Sequence, residues 1–391
     1  MRFAGIDIAA EEHVVAVVDA DGATVLKSTT FAEDAEGYRK VLELLGPPEH
    51  CLVAMEATGH YWQNLFAALA TAGFEIALLN PLRTRRFAQE DLQRTKTDAI
   101  DALGIARFAQ QKRPATTKLP DATTQELREL VRLRDRVVQD LGDSVRRLHR
   151  LVDLGFPEFT RHVKKLDSEL ATAILREYPT AAAFPVAPRA LAKLVYDGRH
   201  KVGGELARAL VDAARVSVGQ HHGDAYRLQI QYACDDIDVL RRRVRDLERR
   251  IQTTLEKHEV GSLLTTIDGI GPTTAARIIA EVGDFGRFAN PGKLAAYVGA
   301  VPGLKQSGKH KPKRAPLATI GNAKLRRALW MPVLAAVRVN PWLRPYYERL
   351  CAAGKLPKVA LVASMRKLLH AIYSVATNRR PFVPRLAEIT S

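Results

Sequence analysis

Two short apolar runs near the start of this chain each carry a carboxylate where a strand would end. FAGIDIA (residues 3–9) contains Asp7, and LVAMEATG (52–59) contains Glu56. Acidic residues are poor strand formers, so a β-rich run that stops on one places that acid at a sheet edge for a reason other than propensity. Around these runs the pattern is regular. Residues 2–31 read as strands with Asp21-Gly22 as a hairpin turn, 33–46 as a helix, 51–57 as a strand, 59–73 as a helix, and 74–80 as a strand ended by Pro81. A helix follows over 98–111, and Pro114 closes the unit.

Three strands, helix, strand, helix, strand, helix is the order of an RNase H-like α/β fold, in which a hairpin sheet is extended by parallel strands through crossovers. In that order the first and fourth strands lie side by side, which brings Asp7 toward Glu56. Asp98 and Asp101, in TKTDAIDA, are three apart and share a helix face. Four such carboxylates repel one another and raise some of their pKa values, a conflict that hard divalent cations with oxygen ligands relieve. One or two Mg²⁺ ions, or another divalent, are the expected cofactor, and a two-ion site would polarise a phosphodiester. The ordinary alternative is that Asp98 caps its helix and Asp101 favours the first turn. Glu11, Glu12, Asp19 and Asp21 fall in turns and read as solvated.

With 391 residues the chain exceeds one ordinary core. The expected division is an α/β domain over 1–120, a helical coiled-coil middle over 121–258, and a mostly α carboxy-terminal domain over 259–391. Leu127, Leu130, Val137, Leu141, Val145, Leu148 and Val152 recur at three- and four-residue steps, as do Ile230, Ile237, Leu240, Val244, Leu247 and Ile251. Both read as coiled-coil seams. Residues 156–222 between them, broken by prolines and Gly203-Gly204, read as a helical insertion. SLLTTIDGIGPTTAARIIAEVG (262–283) reads as a helix-hairpin-helix whose second helix opens at Pro272.

The net charge of +16 favours a polyanionic partner. Arg241, Arg242, Arg245 and Arg249 form a basic face on the second long helix, suited to a phosphate backbone or simply solvated. A second basic cluster, LKQSGKHKPKR (304–314), holds Lys305, Lys309, Lys311, Lys313 and Arg314 around Ser307. Taken alone, that segment reads as a surface loop. Three scattered cysteines make no zinc pattern or disulfide framework, which suits a reducing, cytoplasmic setting. No basic-then-apolar leader is read at the start, and no apolar run approaches the roughly 18 residues of a membrane span.

The motifs GIDIA, MEATG, LLNP and KTDAIDA, followed by GIGPTTAARIIAEVGD, RFANPGKLAAYVG, PGLKQSG and GNAKLRRALW, occur in an order that resembles the DEDD transposases of bacterial insertion sequences, family 110 with relatives numbered 116 and 902. The resemblance covers almost the whole chain. It implies a RuvC-like domain with Asp7, Glu56, Asp98 and Asp101 as catalytic metal ligands, and Ser307 as a nucleophile that forms a covalent serine–DNA intermediate. It also implies a bridge RNA that guides recognition of donor and target DNA. A homodimer is implied, with a tetramer in the synaptic complex and the acids of one subunit acting with the serine of another. Two alternatives share the acidic motifs. One is a metal-dependent Holliday-junction-type resolvase using water; the other is a non-catalytic nucleic-acid scaffold.

Overall fold

The structure, a computed structural model, describes residues 1–90, 97–302 and 320–384. It divides into two compact units, 1–119 and 120–391.

In the first unit the described strands form one sheet of order β3-β2-β1-β4-β5. They are β1 (Arg2–Asp7), β2 (Glu12–Val18), β3 (Thr24–Ala32), β4 (Cys51–Glu56) and β5 (Glu75–Leu79). β1 pairs antiparallel with β2 and parallel with β4, Ile6 lying opposite Met55. The sheet is mixed α/β in the expected strand order, with β1 and β4 at its centre. Alternation assigns its faces. Ala4, Ile6, Val53, Met55 and Ile76 pack on one side with helices α1 (Ala35–Leu45) and α2 (Trp62–Thr71). Phe3, Leu52, Ala54, Ala77 and Leu79 pack on the other with α3 (Pro81–Glu90) and α4 (Asp98–Lys112). Residue parity therefore puts Asp7 and Glu56 on the α3/α4 face.

Helix α3 is a correction. Pro81 does end β5, but it also occupies the first turn of a helix, where its missing N–H costs nothing, and Asn80 Oδ1 accepts from the Leu82 amide at 2.9 Å. Asn-Pro was a helix start as well as a strand stop. At α4 the capping residue is Thr97, whose hydroxyl accepts from the Ile100 amide at 3.3 Å, leaving Asp98 as the first helical residue rather than the cap.

Gly5 sets the distance between β1 and α4. A Cβ added there would stand 2.2 Å from both the Ala102 carbonyl oxygen and the Ala106 amide nitrogen. Backbone atoms cannot yield as a flexible side chain does, so Gly5→Val forces α4 off the sheet. The expected cost is about 3 kcal/mol or more, read as a shifted urea midpoint, with loss of any activity that needs Asp101 near Asp7. A variant with wild-type stability contradicts this packing.

The second unit is helical. α5 (Ala122–Gly155) and α10 (Asp224–Glu256) pack antiparallel within the chain. Leu127 and Val131 share a core with Ile251 and Leu255, whereas Leu148 and Val152 share one with Ile230 and Ile237. Between them come α6 (Phe159–His162), α7 (Glu169–Glu177), α8 (Arg189–Lys193) and α9 (Gly204–Arg215), packed at the closed end of the pair. The buried Glu158 accepts from Ser217 Oγ at 2.6 Å and from the Val218 amide at 3.2 Å, so the insertion begins and ends at one place.

α11 (Gly261–Leu264) is a single turn, and α12 (Pro272–Val282) follows the glycine turn. Gly269 there has φ +94°, and an added Cβ would lie 3.0 Å from Ala336 Cβ. α13 (Pro291–Val298), α14 (Ala323–Val339), α15 (Arg344–Ala352) and α16 (Pro357–Asn378) complete the unit. By length and composition α16 does meet the test for a membrane span, with a mean hydropathy of 1.3. This corrects the sequence expectation, although one such helix is weak ground for a span. More than half of its apolar stretch is buried, and Leu361, Met365, Leu368, Leu369 and Ile372 lie in the core of the second unit.

Candidate functional site

The carboxyl ends of the two parallel central strands carry Asp7 and Glu56, one residue beyond the Ile6–Met55 pair. The first turn of α4 lies over the same face, because Gly5 admits Ala102 two residues before Asp7. Ser28 of β3 donates to the Ala99 carbonyl at 2.8 Å and so ties the start of α4, between Asp98 and Asp101, to the sheet.

Of the four acids, Asp7 is the one that responds to the other three. Asp7 is pushed up to about 6, first by burial and then by the charges of Asp101, Asp98 and Glu56. Asp7, Glu56 and Asp101 are half-buried and Asp98 is exposed. Four carboxylates without nitrogen or sulfur donors form a set suited to a hard divalent cation. Among the described residues no group of three or more His, Cys, Asp or Glu stands arranged as a metal cluster. The chemistry of the donors fits such an ion, and it would have to draw them together.

Two neighbours escaped the sequence reading. Thr84, on α3 and 8 % exposed, donates its hydroxyl to Glu56 Oε1 and also approaches the Pro81 carbonyl at 3.1 Å. The Asn80-Pro81 helix start was the signal that could have placed Thr84 here. His13 is fully buried; its Nδ1 accepts from the Ala9 amide at 3.3 Å, so Nε2 carries the proton toward Glu33 Oε2 at 2.6 Å. That bridge holds the turn leaving Asp7.

Orienting hydrogen bonds of the Thr84 kind raise metal affinity about 10- to 100-fold. Thr84→Val is therefore expected to weaken Mn²⁺ binding by about 10-fold, read by calorimetry. Thr84→Ser should restore it, since the hydroxyl returns. Equal affinity in the valine variant contradicts this role for Thr84.

The basic residues divide. Arg241 is placed differently from the expectation of a nucleic-acid contact. Its side chain is 15 % exposed, pairs with Asp238 and donates to the Asp167 carbonyl at 2.5 Å, joining α10 to the segment before α7. Arg245 meets Glu169 at 3.0 Å and Arg249 meets Asp246 at 3.3 Å, both in exposed pairs that contribute little stability. Arg242, Arg245 and Arg249 line one open groove with Asp246, Glu248 and Gln252. Ser307, Lys305, Lys309, Lys311, Lys313 and Arg314 lie outside the described residues.

Comparison with known proteins adds two family matches. A model described as Transposase, of the DEDD IS110 type, matches residues 4–157, and one described as Transposase IS116/IS110/IS902 family matches 261–348. The first span contains all four carboxylates, and the second contains Ser307. The chain is 28 % identical over 314 residues to the insertion element IS110 uncharacterized 43.6 kDa protein of Streptomyces coelicolor, covering 78 % of this chain and 76 % of that protein. It is 26 % identical over 392 residues to the insertion element IS116 uncharacterized 44.8 kDa protein of Streptomyces clavuligerus, covering 97 % and 96 %. It is also 26 % identical over 335 residues to the pilin gene-inverting protein of Moraxella bovis, covering 85 % and 82 %.

Proposed function

The chain belongs to the IS116/IS110/IS902 family of transposases, and we propose that it is an RNA-guided DNA recombinase that cuts and rejoins DNA through a covalent serine–DNA link. The observation that carries the acidic half is the raised Asp7, whose causes after burial are the charges of the other three acids. Family membership makes DNA the substrate and DNA recombination the reaction class. The gene-inverting relative is by its name a recombination protein too.

Asp7, Glu56, Asp98 and Asp101 would hold one or two divalent ions, with Mg²⁺ the reading the oxygen donors favour. A divalent ion bound there supplies Lewis-acid polarisation of a phosphodiester. Thr84 orients Glu56, and the His13–Glu33 bridge orients the turn after Asp7. Ser307 Oγ then attacks phosphorus. An Oγ–P bond forms, the bond from phosphorus to one deoxyribose oxygen breaks, and that sugar leaves with a free hydroxyl. In rejoining, a hydroxyl from another DNA end attacks the phosphoserine, restoring a phosphodiester and the serine hydroxyl. No net bond energy is lost, so no nucleotide cofactor is needed. Lys305, Lys309, Lys311, Lys313 and Arg314 would neutralise the attacked phosphate and its neighbours.

A guide RNA, a dimer and a synaptic tetramer complete the reading. Arg242, Arg245 and Arg249 line a groove suited to a phosphate backbone. The guide is tested by purifying the protein with and without RNA from its own element. Recombination of matched DNA only with the RNA present is expected; equal recombination after ribonuclease treatment contradicts guidance.

A further inference from the structure

We infer that a groove between α14 and α16 receives an unstacked nucleotide of a polynucleotide strand. The cavity, about 480 Å³, is lined by Arg326, Arg327, Trp330, Met331, Val362 and Met365. Its floor is apolar. Met365 is 1 % exposed, and Trp330 packs half-buried on the core. Met331, next to that tryptophan in the chain, is 64 % exposed and extends the apolar floor to the surface.

The two helices that form the groove carry one sign of charge. α14 holds Lys324, Arg326, Arg327 and Arg338, α16 holds Lys358, Arg366 and Lys367, and neither helix contains an acid. Lys324 and Arg327 are exposed, and among the described residues neither has a carboxylate partner. Arg326 is fixed instead, donating Nη1 to the Val298 carbonyl at 3.0 Å. An apolar peptide would use the floor and leave the cations idle. Duplex DNA would use the cations but offers no free base face to the floor. A single strand uses both, because a base stacks on an aromatic ring while its phosphates meet Lys and Arg.

The placement bears on the reaction. Gly299 and Gly321 touch, an added Cβ on Gly321 standing 2.7 Å from Gly299 Cα, and Asn322 N donates to the Tyr297 carbonyl at 2.7 Å. Arg326 therefore lines the groove and pins the point where the chain leaves for the segment carrying Ser307. The inference rests on membership of a DNA-recombining family and not on the serine or metal readings.

The test uses the full chain carrying Ser307→Ala, in EDTA, so that neither cutting nor metal enters. Of the three tryptophans, Trp62 and Trp342 are changed to Phe, leaving Trp330 as the reporter. Short single-stranded DNA, single-stranded RNA and a matched duplex are titrated. Saturable quenching is expected with a single strand, at least about 10-fold tighter than with the duplex. Tighter binding of DNA or of RNA identifies which strand supplies the nucleotide. Trp330→Leu, checked for folding by circular dichroism and titrated against the same strand carrying a fluorophore, should lose about 10-fold in affinity by anisotropy. The surface change Arg327→Ala should lower the salt dependence by about one phosphate contact. No quenching by any strand, duplex binding as tight as single-strand binding, or unchanged affinity in both variants overturns the inference.

Discussion

Asp7→Asn and Glu56→Gln are each expected to abolish DNA strand cleavage in the presence of Mg²⁺ or Mn²⁺, by on the order of 10³-fold, the several kcal/mol that a bound ion gives to a phosphoryl transition state. The same Asp7 change should stabilise the metal-free protein. A carboxyl whose native pKa is raised holds its proton more tightly when folded than when unfolded. Its contribution to stability is therefore largest at acid pH and is lost as pH rises from about 4 toward 6. Above that window the ionised Asp7 opposes folding. The shift from 3.8 to about 6 corresponds to about 3 kcal/mol for a fully buried group, and partial solvation reduces this to about 1 kcal/mol. Asp7→Asn should then melt a few degrees higher than wild type at pH 7 without divalent ions, by roughly 4 °C for a unit of this size. The gap should close at pH 4. Millimolar Mg²⁺ should raise the wild-type midpoint and leave the variant unmoved. A variant that melts lower than wild type at pH 7 contradicts the crowding of charge at this site.

The sheet, and the strand ends that carry Asp7 and Glu56, were legible because their signals are local. FAGIDIA and LVAMEATG are apolar runs whose length and β-branched content mark strands, and the order of elements left few topologies. The parallel pairing of β1 with β4 agrees with that reading. Thr84 was not legible as part of the site. It sits in a helix of mean polar character, and its role depends on a contact with Glu56 across 28 residues. Gly5 was half legible: a glycine inside a strand signals close approach, but only the packed helix shows what approaches. Helix periodicity marked both long helices, yet their pairing within the chain follows from cores that join the start of one to the end of the other. Arg241 shows the limit of charge patterns. Six arginines in ten residues look alike in sequence, and the fold takes one of them to neutralise Asp238.

Ser307→Ala is expected to have the larger effect on joining. Loss of a nucleophile costs on the order of 10⁴-fold or more, and here it should eliminate both the covalent protein–DNA species and recombinant product. Divalent binding and the Asp7-dependent pH profile should persist, because the four carboxylates remain. Mixing Ser307→Ala with Asp7→Asn protein should restore joining if the acids of one subunit serve the serine of another. Residual hydrolysis of DNA by the alanine variant at the wild-type rate would instead point to water as the attacking group and to a resolvase.

The most direct test joins both halves of the account. Wild-type protein, divalent ion and a suicide DNA substrate are quenched in denaturant, digested and read by mass spectrometry. The expected result is a nucleotide on the peptide containing Ser307, present with Mg²⁺, absent in EDTA and absent from Asp7→Asn protein. DNA cut to free ends with no nucleotide on any peptide contradicts it.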